Sequence, residues 1–118
     1  MASTQSSARR NARGDERKNL IIGAVKDLEL TEFSCWSDLD ALSTRTIQED
    51  IEILDEVLEI ENDHFKGMLN IYVMLEYGKG EDGFVTSDGF PGKFRGHFDE
   101  DGKPVIDDVI VDTSSFYD

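Results

Sequence analysis

The residues best placed to do chemistry lie towards the C-terminal end of the sequence. Lys93, Arg95 and His97 alternate, so in a β-strand their side chains would share one face. Asp107 falls within the apolar stretch that follows, where a carboxylate is costly to bury without partners. We interpret these four residues as candidate contacts for a partner or an acidic ligand. Two simpler alternatives are charge neutralisation of Asp108 across a sheet and a bulge that turns Asp107 to solvent.

The common catalytic and metal-binding motifs are absent from the sequence. There is no phosphate-cradling glycine loop, no GxSxG elbow and no HExxH pair. His64 and His97 are far apart in the chain, and the single cysteine, Cys35, has the pattern of a small buried residue. The run from His97 to Gly102 fits a calcium loop poorly, because histidine occupies the first ligand position. We therefore predict no catalytic residue, no metal and no cofactor.

Two amphipathic patterns in the first half predict helices. Ile21, Val25 and Leu28 follow a helical spacing after Asp15, which can cap a helix running to about Leu30. Ile47, Ile51, Leu54 and Leu58 repeat at intervals of four, three and four, which predicts a second helix from about Ser43. Its end is ambiguous, since the residues from Val57 to Glu61 also alternate as a strand would.

The second half has the pattern of β-structure. Alternation between Met68 and Tyr77 predicts a strand, and the glycine-rich stretch from Gly78 to Gly89 predicts a long loop. Segments 90–98 and 103–112 flank Asp101-Gly102, which favours a two-residue type I′ turn. This turn predicts a register with the following pairs: Phe98 with Val105, Arg95 with Asp108, Phe94 with Val109, Gly92 with Val111 and Gly96 with Asp107.

These elements predict an α+β fold of two or three helices, the third short and near Asp38, packed on a three- to four-stranded antiparallel sheet. The 118 residues suffice for one domain, which we place at 15–118. Residues 1–14 have the composition of a disordered basic arm.

Charge limits the classes of partner. The chain has 26 acidic and 12 basic residues and a net charge of -14. This charge disfavours nucleic-acid binding except through the basic arm or a dedicated motif, and it attracts basic protein partners. It is also consistent with simple solubility or a high-salt cytoplasm. We see no membrane span or signal peptide and expect a cytoplasmic protein.

Residues 42–54, LSTRTIQEDIEIL, resemble the helix-turn-helix of DeoR- and WYL-type prokaryotic regulators. The resemblance implies that Ser43 caps a recognition helix whose first turn, with Thr44, Arg45 and Gln48, enters a major groove. It also implies that the β-hairpin serves as a wing.

The C-terminal half, from the FxG of Phe65 to the closing VDTSSFYD, resembles small β-rich domains of predicted prokaryotic defence-associated nucleases. This second resemblance implies a prokaryotic or mobile-element origin and assigns no site residue.

We expect a non-catalytic module that binds a protein partner or regulates it, with the acidic surface steering association. Two alternatives stay open at this point: a winged helix-turn-helix DNA-binding regulator, and an acidic nucleic-acid mimic that inhibits a DNA-binding protein.

Overall fold

In the part of the chain that the structure describes, two α-helices and five β-strands are joined by loops and short 3-10 helices. The computed structural model describes residues 16–78, 81 and 83–117. The first helix, α1, spans 16–26, and α2 spans Cys35–Asp40. The strands are β1 (Arg45–Ile53), β2 (Glu59–Glu61), β3 (His64–Tyr77), β4 (Phe84–Phe98) and β5 (Pro104–Val111). Among the described residues, no helix is long and apolar enough to cross a membrane.

The sheet is an antiparallel meander four columns wide. Both β1 and β2 pair with β3, β1 along its C-terminal half and β2 along its first three residues. The order across the sheet is then β3, β4 and β5. Each strand runs antiparallel to its neighbours, so residues far from a connecting turn face each other across the sheet although they are distant in sequence.

The core lies between the helices and one face of the sheet. Ile21 and Val25 from α1 and Leu39 from α2 are fully buried against the inward residues of the strands. The central pair of strands matches large residues to glycines: Phe65 pairs with Gly96 and Gly67 with Phe94. Each aromatic ring lies over the facing glycine, which fixes the register of β3 against β4.

The predicted second helix is wrong, and with it the predicted sheet of three to four strands. The segment from Arg45 to Ile53 is β1, so the α+β fold has a five-stranded sheet. A β-bulge between Gln48 and Asp50 shifts the register by one residue. Even-numbered residues, Thr46 and Gln48, therefore face inward before the bulge, and odd-numbered residues such as Ile51 face inward after it. Ile47 lies on the other face, so the helical spacing of Ile47 and Ile51 joins residues on opposite faces of a strand.

Hydrogen bonds explain why polar side chains occupy inward positions of β1. The Thr46 hydroxyl donates to the Leu39 carbonyl at 3.0 Å. Gln48 donates to the Leu28 carbonyl at 2.7 Å and accepts from the Leu30 amide at 3.0 Å, so it ties β1 to the segment after α1. A satisfied polar group can be buried at little cost, but it hides the strand pattern in the sequence.

The helix-turn-helix interpretation is wrong because the segment expected to form the recognition helix is strand β1. Arg45 and Gln48 lie in a strand, and Thr44 immediately precedes it. Thr44 accepts a hydrogen bond from the Gly78 amide at 3.2 Å, and the Arg45 guanidinium lies 3.8 Å from the Glu76 carboxylate. These side chains serve the sheet, and there is no recognition helix for them to occupy.

The C-terminal hairpin is confirmed, and its register is corrected in part. The predicted pairs Gly92–Val111, Phe94–Val109 and Arg95–Asp108 are present. The turn is one residue longer than predicted, with Asp99 bonded to Lys103 and only Gly102 at positive φ. Phe98 therefore pairs with Pro104, not Val105, and a bulge at Asp107 restores the predicted register beyond it.

Of the remaining predictions, two helices are confirmed and the long loop is not. The first helix is confirmed but ends at residue 26, and its proposed cap, Asp15, lies outside the described residues, as does the arm at 1–14. The short helix near Asp38 is confirmed as α2. The predicted loop is much shorter, because β4 already begins at Phe84.

Candidate functional site

The sheet face opposite the helices carries a cluster of charged and titratable side chains. We call it the open face; it displays the alternate residues of β3 and β4 that do not enter the core. At the end nearest the β2–β3 turn, two rows of facing residues cross the sheet. The histidine row contains Glu61, His64, His97 and Val105; the cation row contains Glu59, Lys66, Arg95 and Asp108.

The histidine row brings two imidazoles together. His64 and His97 are direct cross-strand partners, and their ring centroids are 6.4 Å apart with a tilt of 47°. The bulge in β5 turns Asp107 onto this face, where its Oδ2 lies 2.8 Å from Nδ1 of His97. When the imidazole donates its Nδ1 proton to this carboxylate, Nε2 is left free to accept a proton. The arrangement can therefore act as an oriented general base beside a second imidazole.

The cation row provides two positive charges directly beside the imidazoles. Lys66 and Arg95 face each other across β3 and β4. Nζ of Lys66 is 3.4 Å from a Glu59 oxygen, and the Arg95 guanidinium is 3.9 Å from an Asp108 oxygen. These ion pairs are exposed and long, so they contribute little stability and an incoming phosphate can displace the carboxylates.

A depression of about 490 Å³ joins the two rows. Its floor includes Phe65 and Gly96, whose side-chain positions belong to the opposite face. Because the floor is largely backbone at this point, the surrounding side chains stand around a shallow basin. The basin is large enough for one nucleotide-sized group.

The N-terminal helix braces this end of the sheet from the other side. The Arg17 guanidinium lies 4.2 Å from the centroid of the Phe98 ring and 3.2 Å from Oδ1 of Asp63. Asp63 belongs to the tight turn that precedes His64, and its carbonyl accepts a hydrogen bond from the Phe98 amide at 2.8 Å. These contacts fix the position of His64 relative to β4.

Three of the four residues singled out in the sequence meet at this site. Arg95 and Asp107 border the basin, and His97 lies beside it, opposite His64 and in contact with Asp107. Lys93 lies one row further along β4, opposite Met68. Sequence patterns alone did not indicate that His64, Lys66, Glu59 and Glu61 belong to the site. Asn62-Asp63, a turn between alternating stretches, was an available signal for β2, and the match of aromatics to glycines could have revealed which residues of β3 face β4.

Cys35 lies apart from this cluster, on the inward side of α2. It is buried, and burial raises the pKa of its thiol, with smaller contributions from the negative charges of Asp108 and Asp38. The thiol therefore behaves as a small apolar core group, in keeping with the sequence pattern. Within the part of the chain that the structure describes, no group of three or more His, Cys, Asp or Glu side chains is placed to hold a metal ion.

Comparison with known protein families gives a match over most of the chain. Residues 22–117 match the model of a family described as "Predicted pPIWI-associating nuclease". The matched range contains every strand of the sheet and both rows of the site. No curated protein and no solved structure matches the chain.

Proposed function

Because this chain belongs to the family of predicted pPIWI-associating nucleases, we propose that it cleaves phosphodiester bonds in nucleic acid by general acid–base catalysis on the open face. The observation that carries the proposal is the pairing of His64 with His97, 6.4 Å apart, with Asp107 holding Nδ1 of His97 at 2.8 Å. Paired imidazoles suit a reaction in which one proton is removed and another delivered.

The reaction requires an attacking hydroxyl, from the substrate or from water, in line with the leaving oxygen. His97 takes the proton of the attacking hydroxyl as its oxygen bonds to phosphorus. The bond from phosphorus to the leaving oxygen breaks, and His64 donates a proton to that oxygen. Hydrogen-bond reach from each ring is about 3 Å, so one phosphate fits between the rings.

The two cations stabilise the charge that develops during this reaction. The non-bridging oxygens of the phosphate become more negative as the bond to the attacking oxygen forms. Lys66 and Arg95 lie beside the imidazoles and present ammonium and guanidinium groups to these oxygens. Arginine can bind two phosphate oxygens at once, which also orients the group.

The test is cleavage of end-labelled oligonucleotides by the wild-type chain and by His64→Ala and His97→Ala. We expect each substitution to lower kcat/KM by about 10²- to 10³-fold, the usual contribution of a positioned acid or base. The double variant should be little worse than either single one, because the two groups act as a unit.

Lys103→Ala is the matched control, since Lys103 is an exposed cation in the β4–β5 turn. Its activity should equal that of the wild type. Full activity of both histidine variants would refute acid–base catalysis at this site.

We also propose, as a second candidate, the protein-binding module expected from the sequence. The observation that favours it is a row of carboxylates along the outer column of the sheet, formed by Glu49, Asp50, Glu52, Glu59 and Glu61. A surface of this charge attracts a basic surface of a partner. The family description names association with a pPIWI protein, which makes that protein the partner to test.

Association is tested by titrating the purified pPIWI protein with this chain and with a Glu52→Lys, Glu59→Lys double variant. We expect the charge reversal to weaken binding at least tenfold and to slow association. Glu100→Lys, at an exposed position of the β4–β5 turn, is the control and should bind as the wild type does. Equal affinity of the double variant would exclude this surface.

A further inference from the structure

A line of basic and aromatic side chains continues from the histidine pair along the two central strands. After the cation row comes Lys93, opposite Met68, and four residues further along β3 comes Tyr72. We call this line the stripe: His64, His97, Lys66, Arg95, Lys93 and Tyr72. From His64 to Tyr72 it covers eight residue steps, or about 27 Å of extended strand.

Tyr72 has the geometry of a stacking platform. Its partner on β4 is Gly89, and a Cβ atom at Gly89 would lie 2.8 Å from Cε1 and 2.9 Å from Cδ1 of the tyrosine. The ring thus lies across the neighbouring strand, in space that any other residue would fill. One side of the ring rests on the backbone at Gly89, and the side chain as a whole is partly exposed. Aromatic rings displayed on a sheet in this way stack unpaired bases.

Carboxylates border the stripe on both sides. Glu49, Asp50, Glu52, Glu59 and Glu61 lie along the β1–β2 column, and Asp107 and Asp108 lie on β5. β3 and β4 contribute no acidic residue over the length of the stripe, and the nearest flanking carboxylate, Glu52, accepts a hydrogen bond from Asn70 at 3.1 Å. Neighbouring strands are about 5 Å apart. The positive path is therefore narrow and is bounded by negative charge.

From this arrangement we infer that the nucleic acid bound at the site is single-stranded and runs along the stripe, with phosphates on Lys66, Arg95 and Lys93 and a base stacked on Tyr72. The two backbones of a duplex are about 12 Å apart across the major groove. If one backbone followed the stripe, the other would lie over the carboxylates of a flanking strand and would be repelled. The inference rests on the proposed nuclease function and adds the class of substrate.

The first experiment separates the stripe from the catalytic pair. KM and kcat are measured for wild type and Tyr72→Ala on a dinucleotide and on a longer single-stranded oligonucleotide. We expect Tyr72→Ala to raise KM for the longer substrate about tenfold relative to KM for the dinucleotide, because only the longer one reaches the ring. Tyr72→Phe keeps the stacking surface and should restore the wild-type ratio.

Tyr117→Ala is the matched control, since Tyr117 is an exposed aromatic residue outside the sheet. It should not change the ratio. If Tyr72→Ala left the ratio of the two KM values unchanged, the inference that a single strand runs along the stripe would be overturned. Loss of cleavage in the histidine variants would still support the catalytic site.

The second experiment measures binding without relying on cleavage. Fluorescence anisotropy of a labelled oligonucleotide, as RNA and as DNA, is compared between the single strand and the same strand annealed to its complement. We expect both kinds of single strand to bind at least tenfold more tightly than their duplexes. Three phosphate contacts predict a shallow salt dependence, with a logarithmic slope of about -2, which Lys93→Ala should reduce by about 0.7.

Equal or tighter binding of duplex would overturn the inference. If the wild-type chain cleaves no oligonucleotide, the nuclease proposal fails, and the anisotropy of wild type against Tyr72→Ala still decides whether the stripe binds single strands.

Discussion

At the level of single residues, the partners of His97 and the surroundings of Cys35 give their side chains different chemistry. His97 is a little over one-third exposed and is held by a carboxylate, so it can meet a substrate in a defined orientation. Cys35 is buried in the core beneath the sheet. A cysteine in that position contributes to packing, whereas a histidine on the open face can exchange protons with a ligand.

Asp107→Asn tests the orienting role of the carboxylate. The amide keeps the size of the side chain but lacks its charge, so the imidazolium formed during catalysis is less stabilised. We expect kcat to fall about tenfold, less than for loss of His97 itself, with little change in KM. Asp101→Asn, in the exposed turn, is the control and should leave kcat unchanged. A rise in KM with kcat unchanged would indicate that Asp107 acts in binding instead.

Cys35 gives a pH-dependent prediction for stability. Because burial raises the pKa of this thiol in the folded state, the unfolded chain loses its proton first as pH rises. The contribution of the neutral thiol is therefore fully present below about pH 8.5, the ordinary pKa of cysteine, and is lost as pH rises towards the folded value. Urea unfolding of wild type and Cys35→Ala between pH 7 and pH 10 should show the wild type losing stability relative to the variant. Parallel pH profiles would contradict the assignment.

At the level of elements, two bulges and the glycines of the central strands decide which side chains face the core and which lie on the open face. The bulge after Gln48 places Ile51 in the core, and the bulge at Asp107 turns a carboxylate towards His97. Close packing of Phe65 on Gly96 joins β3 to β4 where the two histidines face each other. The site therefore depends on the exact fit of this strand pair.

Gly96→Ala should destabilise the protein strongly. An added Cβ would overlap the Val105 carbonyl oxygen and lie 2.5 Å from Cζ of Phe65, so either a ring or a strand must move. We expect a loss of about 3 kcal/mol in the free energy of unfolding, measured by urea denaturation. Gly23→Ala, in α1, meets no atom within 4 Å and should stabilise the protein by about 1 kcal/mol. Similar effects of the two changes would show that Gly96 is not closely packed.

At the level of the whole molecule, the net charge of -14 affects both stability and binding. Like charges repel most strongly when they are brought together by folding, and the carboxylates along β1 and β2 form one column. The same charges oppose the approach of nucleic acid, so the proposed nuclease would gain from a partner that delivers the substrate. The catalytic and the protein-binding proposals are therefore compatible.

Added salt should stabilise the fold. Raising NaCl from about 0.01 M to about 1 M shortens the screening length from about 30 Å to about 3 Å and weakens the repulsion. We expect the melting temperature to rise by about 5 °C, which corresponds to about 1 kcal/mol. A Glu52→Gln, Glu59→Gln variant should show a smaller rise, because it carries less of the repulsive charge. An unchanged melting temperature in the wild type would mean that the surface charges are already compensated.

Local patterns in the sequence determined the first helix, the part of β3 from Met68 to Tyr77, and the C-terminal hairpin with most of its pairs. Each depends on residues close in the chain: an amphipathic repeat, an alternating run, or a turn with a glycine at positive φ. Neither the identity of β1 nor the site could be read in this way. The polar residues inside β1 are satisfied by distant carbonyls, and a single bulge changes which residues face the core.

Only the tertiary structure brought His64 to His97 and Asp107. His64 and His97 are 33 positions apart in the sequence, and their meeting depends on the pairing of β3 with β4. That pairing is fixed by the fit of rings against glycines and not by the histidines themselves. Composition determined the charge of the molecule, and long-range packing decided where a narrow basic path would interrupt it.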